Sequence, residues 1–131
     1  MKRLVALIAT LALVVGCTTP LPKPTNADGS FNASAAVSDA DLTYQDAATN
    51  ATAYVTQCHA IPSTPGCSES LITGLKQAST KAKAALKAAH DALKAQPGVG
   101  SGIDKAIADL NAALIFLQSF VGQIPQNLRA K

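Results

Sequence analysis

Ile103-Asp-Lys-Ala-Ile-Ala-Asp-Leu-Asn-Ala-Ala-Leu-Ile-Phe-Leu-Gln-Ser-Phe-Val-Gly-Gln-Ile124 decides the fold class of this chain. Ile103, Ile107, Leu110, Leu114, Leu117, Val121 and Ile124 recur at alternating spacings of four and three without a break. That period lays an apolar stripe along one face of a helix, which must be buried against other elements. Ser101 with Asp104 three positions later reads as a helix start, and Pro125 stops the pattern, so a helix is expected over about 102–124.

Working back along the chain, Ile72, Leu75, Ala82, Leu86, Ala89 and Leu93 form a second seam, in a helix of about 68–95 that Pro97-Gly98 terminates. Alanine at many of these positions lets helices approach closely. A weaker stripe of Tyr44, Ala48, Ala51, Val55 and Cys58 predicts a first helix over about 39–59, with Ser38 as its cap. Ile61-Pro-Ser-Thr-Pro-Gly66 turns the chain between the two. No alternating strand pattern and no internal repeat occurs. Short links between three helices predict an all-α, antiparallel, up-down-up bundle.

The first residues read differently. Met1-Lys-Arg-Leu-Val-Ala-Leu-Ile-Ala-Thr-Leu-Ala-Leu-Val-Val-Gly-Cys17 has a basic start and then an apolar run from Leu4 to Val15. The run falls short of the ~20 residues that a spanning helix needs, and its shape is that of an export signal. Val14-Val15-Gly16-Cys17 resembles the lipobox of bacterial lipoproteins, with valine where leucine is more usual at the first of those positions. The resemblance concerns residues 1–17 alone. It implies cleavage after Gly16 and acylation of the Cys17 sulfur, and hence a membrane attachment through two or three chains, where one alone is marginal. Thr18, rather than aspartate, follows the cysteine, which in enterobacterial lipoproteins goes with the outer membrane and so with a periplasm-facing, lipid-anchored protein of the cell envelope.

Removing residues 1–16 leaves 115 of the 131 residues, one small domain's worth. Nine Lys and Arg then face eight Asp and Glu, so no basic surplus argues for nucleic acid. Residues 17–37, with prolines at 20, 22 and 24 and an Asn-Ala-Asp-Gly-Ser run, are expected to form a disordered tether before a bundle domain of 38–131. Aromatics are scarce and tryptophan is absent, which makes a covalent staple valuable. With Cys17 lipidated, Cys58 and Cys67 remain, and an oxidising compartment allows them one pairing.

Little in the chain suggests catalysis. There is no glycine-rich phosphate loop, no nucleophile elbow and no cofactor motif; the histidines are His59 and His90 only, and no small-molecule substrate site stands out. Cys58, His59 and Cys67 could contribute zinc ligands, but a fourth ligand is missing and the disulfide reading is preferred, so no metal is expected. Lys76, Lys83, Lys87, His90 and Lys94 fall within about 40° of one line on the second helix. Such a stripe could rest on anionic headgroups or lipopolysaccharide phosphates. The favoured reading is charge complementarity inside the hairpin, with Lys87 and Lys94 beside Asp39, Asp41 and Asp46 of the first helix. Leu114–Phe120 is apolar almost all round its helix, which makes Ile115, Phe116 and Phe120 a candidate partner patch. Phe116 and Phe120 are expected to pack on a neighbouring helix. Lys131 at the end of the sequence resembles the terminal lysine of the major murein lipoprotein, which is bonded to peptidoglycan.

These signals point to a non-enzymatic, lipid-anchored bundle that binds or spaces another envelope component, an envelope protein for example. A structural tether to peptidoglycan through Lys131 is the competing expectation. A phage- or plasmid-borne envelope protein acting on a receptor is a third.

Overall fold

The computed structural model describes residues 23–95 and 100–131. Three helices, α1 (Ala33–Ala60), α2 (Glu69–Ala95) and α3 (Ser101–Val121), run up, down and up, and a 3-10 turn (Gln126–Leu128) follows. Each helix packs on the other two, α2 against α3 most extensively. The expected all-α three-helix bundle is therefore the architecture, and an isolated Thr25–Phe31 bridge is the sole β pairing among the described residues.

α1 begins six positions before the expected start. Asn32 caps it: its Oδ1 accepts from Ala35 N at 2.9 Å, while Ser38 lies exposed inside the helix. Ala33, Ala36, Val37 and Ala40 carry the reason, since they extend the apolar face at helical spacing and are all buried. The face itself is turned by about one position from the expected stripe. Ala47, Ala51, Tyr54 and Cys58 are buried, whereas Tyr44, Ala48 and Val55 are half-buried.

The expected tether is likewise shortened. Asn32 N donates to Pro24 O at 2.8 Å and Asn26 N to Ser30 O at 2.7 Å. Gly29 turns the chain at φ +83°, a left-handed conformation that glycine adopts without a Cβ clash. Asp28 Oδ1 accepts from Ser30 N at 2.9 Å and from Ser30 Oγ at 2.6 Å. Those two bonds hold the Asp28 carboxyl below its ordinary range. Phe31 then packs against the core, so residues 24–32 belong to the folded body. Residues 17–22 of the expected tether lie outside the described residues.

On α2, Ile72, Leu75, Ala82, Leu86 and Ala89 of the expected seam are buried together with Leu71 and Ala78, while Leu93 is half-buried. Ala78, Ala82 and Ala89 have no exposed surface at all, which brings the neighbouring backbones close. α3 buries Ile103, Ile107, Leu110, Leu114 and Leu117. Its N-cap is Gly100, in extended backbone, one position before the expected Ser101, and it ends at Val121 rather than 124. Ile124 is buried all the same, in the turn that follows. Arg129 explains how the end is satisfied: its Nε donates to Ile124 O and its Nη2 to Gly122 O, both at 3.1 Å. A cation on these carbonyls also suits the negative end of the helix. The chain then buries Leu128, and Ala130 N donates to Asn50 Oδ1 on α1 at 3.2 Å.

Candidate functional site

The end of the bundle where α1 meets α2 is closed by several devices at once. Cys58 and Cys67 form the expected disulfide, with Cα atoms 5.5 Å apart. Tyr54, fully buried, sends its hydroxyl into the same turn, where it donates to Gly66 O at 3.0 Å and accepts from Ser68 N at 2.8 Å. One phenol thus pairs a loop carbonyl and an amide at the start of α2 that the helix itself leaves without a partner. Gly66 has φ +94°, and an added Cβ would come 2.8 Å from Pro125 Cγ, so the turn both needs glycine and seats the segment after α3. Sequence reasoning missed Tyr54 because its position, one before Val55, falls off the assumed stripe. A tyrosine at helical spacing from Ala47, Ala51 and Cys58 was the available signal.

The disulfide takes both sulfurs that a zinc site would have needed, and His59 beside it is exposed. Among the described residues no group of three or more His, Cys, Asp and Glu side chains converges.

Lys87 and Lys94, expected to answer the α1 acids, do not do so. Lys87 Nζ pairs with Asp91 of its own helix at 2.6 Å. That bond, with the added attraction of the Lys87 charge, lowers the Asp91 carboxyl from its ordinary range. Asp41 faces His90, not a lysine, at 3.9 Å, which is an ion pair only when the imidazole is protonated. Among the described residues Lys76, Lys83 and Lys94 lie beyond ion-pair distance of any carboxylate, and so Asp39 and Asp46 do of any cation. The helix spacing explains the miss: the acids at 39 and 46 sit on the side of α1 away from α2, so proximity along the axis does not bring the charges together.

Lys76 lies instead on the rim of a groove between α1 and α2. Ala48, Ala51, Thr52, Val55, Leu75 and Ser79 supply most of the remaining wall, around about 490 Å³ of open space. The small side chains keep the two helices from filling this face. A second hollow of about 320 Å³ sits between the start of α2 and the end of α3, lined by Gly66, Ser68, Ser70, Leu71, Phe120 and Gln123.

The aromatic patch divides. Phe120 packs on α2, where Gly74 leaves room for its ring and a Cβ would overlap it. Phe116 meets Phe120 edge to face at a centroid distance of 5.1 Å, yet is 40% exposed. Lys81 Nζ stands 5.2 Å from the centre of the Phe116 ring. Ile115 is 36% exposed beside it. Of the three residues, then, only Phe120 is covered as expected.

Cys17 lies outside the described residues, and Lys131 is exposed. No helix among the described residues is long and apolar enough to cross a membrane. No family model, curated protein or solved structure matches this chain.

Proposed function

We propose that this protein is a lipid-anchored, non-enzymatic component of a bacterial cell envelope, whose disulfide-closed bundle binds or spaces another envelope constituent from the periplasmic face of the outer membrane. The observation that carries the reading is the Val14–Cys17 box, with its short basic and apolar lead. The Cys58–Cys67 bridge supports it, since an exported chain meets an oxidising compartment. The grooves on the bundle are lined mainly by alanine, serine, threonine and leucine, side chains that suit docking rather than proton transfer.

The folded body also bears on the spacing role. Because residues 24–32 pack onto the bundle, the chain between Cys17 and Lys23 spans at most about 20 Å fully extended. An anchored bundle is then held against its bilayer, with the N-terminal end of α1 nearest the lipid. A long reach across the periplasm does not fit that length, whereas a close-range contact with a neighbour in the same membrane does.

The test is metabolic labelling with an alkyne palmitate, followed by membrane fractionation. Wild type is expected to label and to sediment with outer-membrane markers. Cys17→Ser is expected to lose the label and to accumulate as a longer precursor. Normal processing and membrane retention of the serine variant would refute the anchor. Muramidase digestion before mass analysis reads the alternative in the same sample: a muropeptide on Lys131 would replace the spacing role with covalent attachment to peptidoglycan.

A further inference from the structure

Asp39 and Asp46 of α1 and Lys87 and Lys94 of α2 have matching spacing but do not meet within one copy, where His90, between the lysines, instead has Asp41 at 3.9 Å. Asp39 and Asp46 are seven positions apart, and so are Lys87 and Lys94. Both pairs therefore span about 10 Å along their helices and stay within roughly 20° of one line. Between the acids stands Leu42, 60% exposed and the most exposed large apolar side chain among the described residues. Between the lysines stands His90, half-exposed. The Lys87–Asp91 pair is on the surface, with side chains 78% and 53% exposed, so a better-placed carboxylate can take the lysine over at little cost.

We propose that this chain associates with copies of itself, the Asp39–Leu42–Asp46 face of one α1 lying antiparallel along the Lys87–His90–Lys94 face of the next copy's α2. In that register Asp39 meets Lys94, Leu42 covers the His90 ring and Asp46 meets Lys87. The charge complementarity commits the surface to a second copy: each face supplies what the other lacks, at the same interval. α1 antiparallel to a neighbour's α2 also keeps the axes of the two bundles parallel, because α1 and α2 are antiparallel within each copy. The two faces lie on different sides of one bundle, so the contact is head-to-tail and continues from copy to copy in a row or a ring. A weak contact suffices wherever copies are crowded together, since high local concentration replaces affinity.

Zero-length carbodiimide coupling tests the register directly, because it joins a carboxylate to an amine only where they touch. Full-length protein is prepared in natural-abundance and nitrogen-15 forms, mixed in detergent and coupled at low salt. Asp39–Lys94 and Asp46–Lys87 cross-links carrying one light and one heavy peptide are expected. Their yield should fall several-fold at 0.5 M salt, where screening acts within a few ångströms. Asp39→Lys with Asp46→Lys in one variant, and Lys87→Asp with Lys94→Asp in another, should each abolish association alone, by light scattering. Mixing the two should restore it, and since Asp46, Lys87 and Lys94 are exposed and Asp39 is half-buried outside any ion pair, each variant should keep the wild-type helix content. Cross-links confined to a single isotope, or a mixture of the variants that stays monomeric, would overturn the proposal. Salt-sensitive binding to phosphatidylglycerol vesicles, lost on changing the lysines and unaccompanied by mixed-isotope cross-links, would overturn it too and assign the stripe to a lipid surface.

Discussion

Tyr54→Phe removes one oxygen from the interior and leaves the ring in place, so its cost isolates the hydroxyl. That hydroxyl joins Gly66 O and Ser68 N, on either side of the disulfide-bonded Cys67. Each bond is worth about 1 kcal/mol net, and a buried partner left alone costs ~1–3 kcal/mol. Gly66 is exposed, so water can reach its carbonyl, whereas Ser68 is half-buried and its amide recovers less. The sum is about 1.5–2.5 kcal/mol, or roughly 6–10 °C in melting temperature for a body of about 100 residues. Thermal unfolding followed by far-ultraviolet circular dichroism measures it, once on the oxidised protein and once after reduction. Because the bridge and the phenol hold the same turn, the substitution should cost less in the reduced protein, by ~0.5 kcal/mol or more, as coupled neighbours do. A Phe variant melting within a degree of wild type would refute the assigned role of the hydroxyl. An equal penalty in both redox states would refute the claim that the two devices share one turn.

Reduction by itself should lower stability by about 2.7 kcal/mol on the chain-entropy estimate for a loop of about ten residues, with most helical signal kept below the transition. Leu117→Asp puts a charge at a position with no exposed surface and is expected to unfold the domain, while Ala112→Asp, on the exposed side of α3, should change melting by no more than ~0.5 kcal/mol; equal effects would show the α3 register to be wrong. Gly74→Ala drives a methyl into the Phe120 ring and should cost ~1–3 kcal/mol, with a smaller penalty when Phe120 is already alanine. Asp28 has a lowered folded pKa, so its bonds to Ser30 are fully present above the unfolded value of ~3.9 and are lost as pH falls through the folded value. The Ser30 amide resonance should therefore move at acid pH below ~3.9, and a midpoint at or above that value would contradict the pairing.

The seams of α2 and α3 were legible because leucine and isoleucine at helical spacing leave one way to bury them. α1 was harder to read. Its face is largely alanine, which marks a helix without marking a side, so Tyr54 and Val55 compete on equal terms until the partners are in place. The helix start was hidden for a related reason: Ser38 resembles a cap, but Asn32 wins because Ala33 and Val37 behind it are buried. The cysteine pairing needed only counting. The residues of the lysine stripe all lie in α2, yet their partners could not be read from one dimension, because the direction in which Asp39 and Asp46 point depends on a rotation of α1 that alanine does not fix. Leu128 and Arg129 follow Pro125 with no periodic context, and only the packed end reveals that one fills the core and the other satisfies its carbonyls.

The seating of Pro125 and Leu128 on the Gly66 turn has a consequence in time. A chain that emerges from its N-terminus has all three helices available before residue 128 appears, and the Cys58–Cys67 hairpin can already close. Its bundle nevertheless lacks the apolar plug beneath the turn and the arginine on the carbonyls of α3. A partly emerged chain is therefore looser than the finished one. The open end of the bundle is filled only once Pro125, Leu128 and Arg129 have followed.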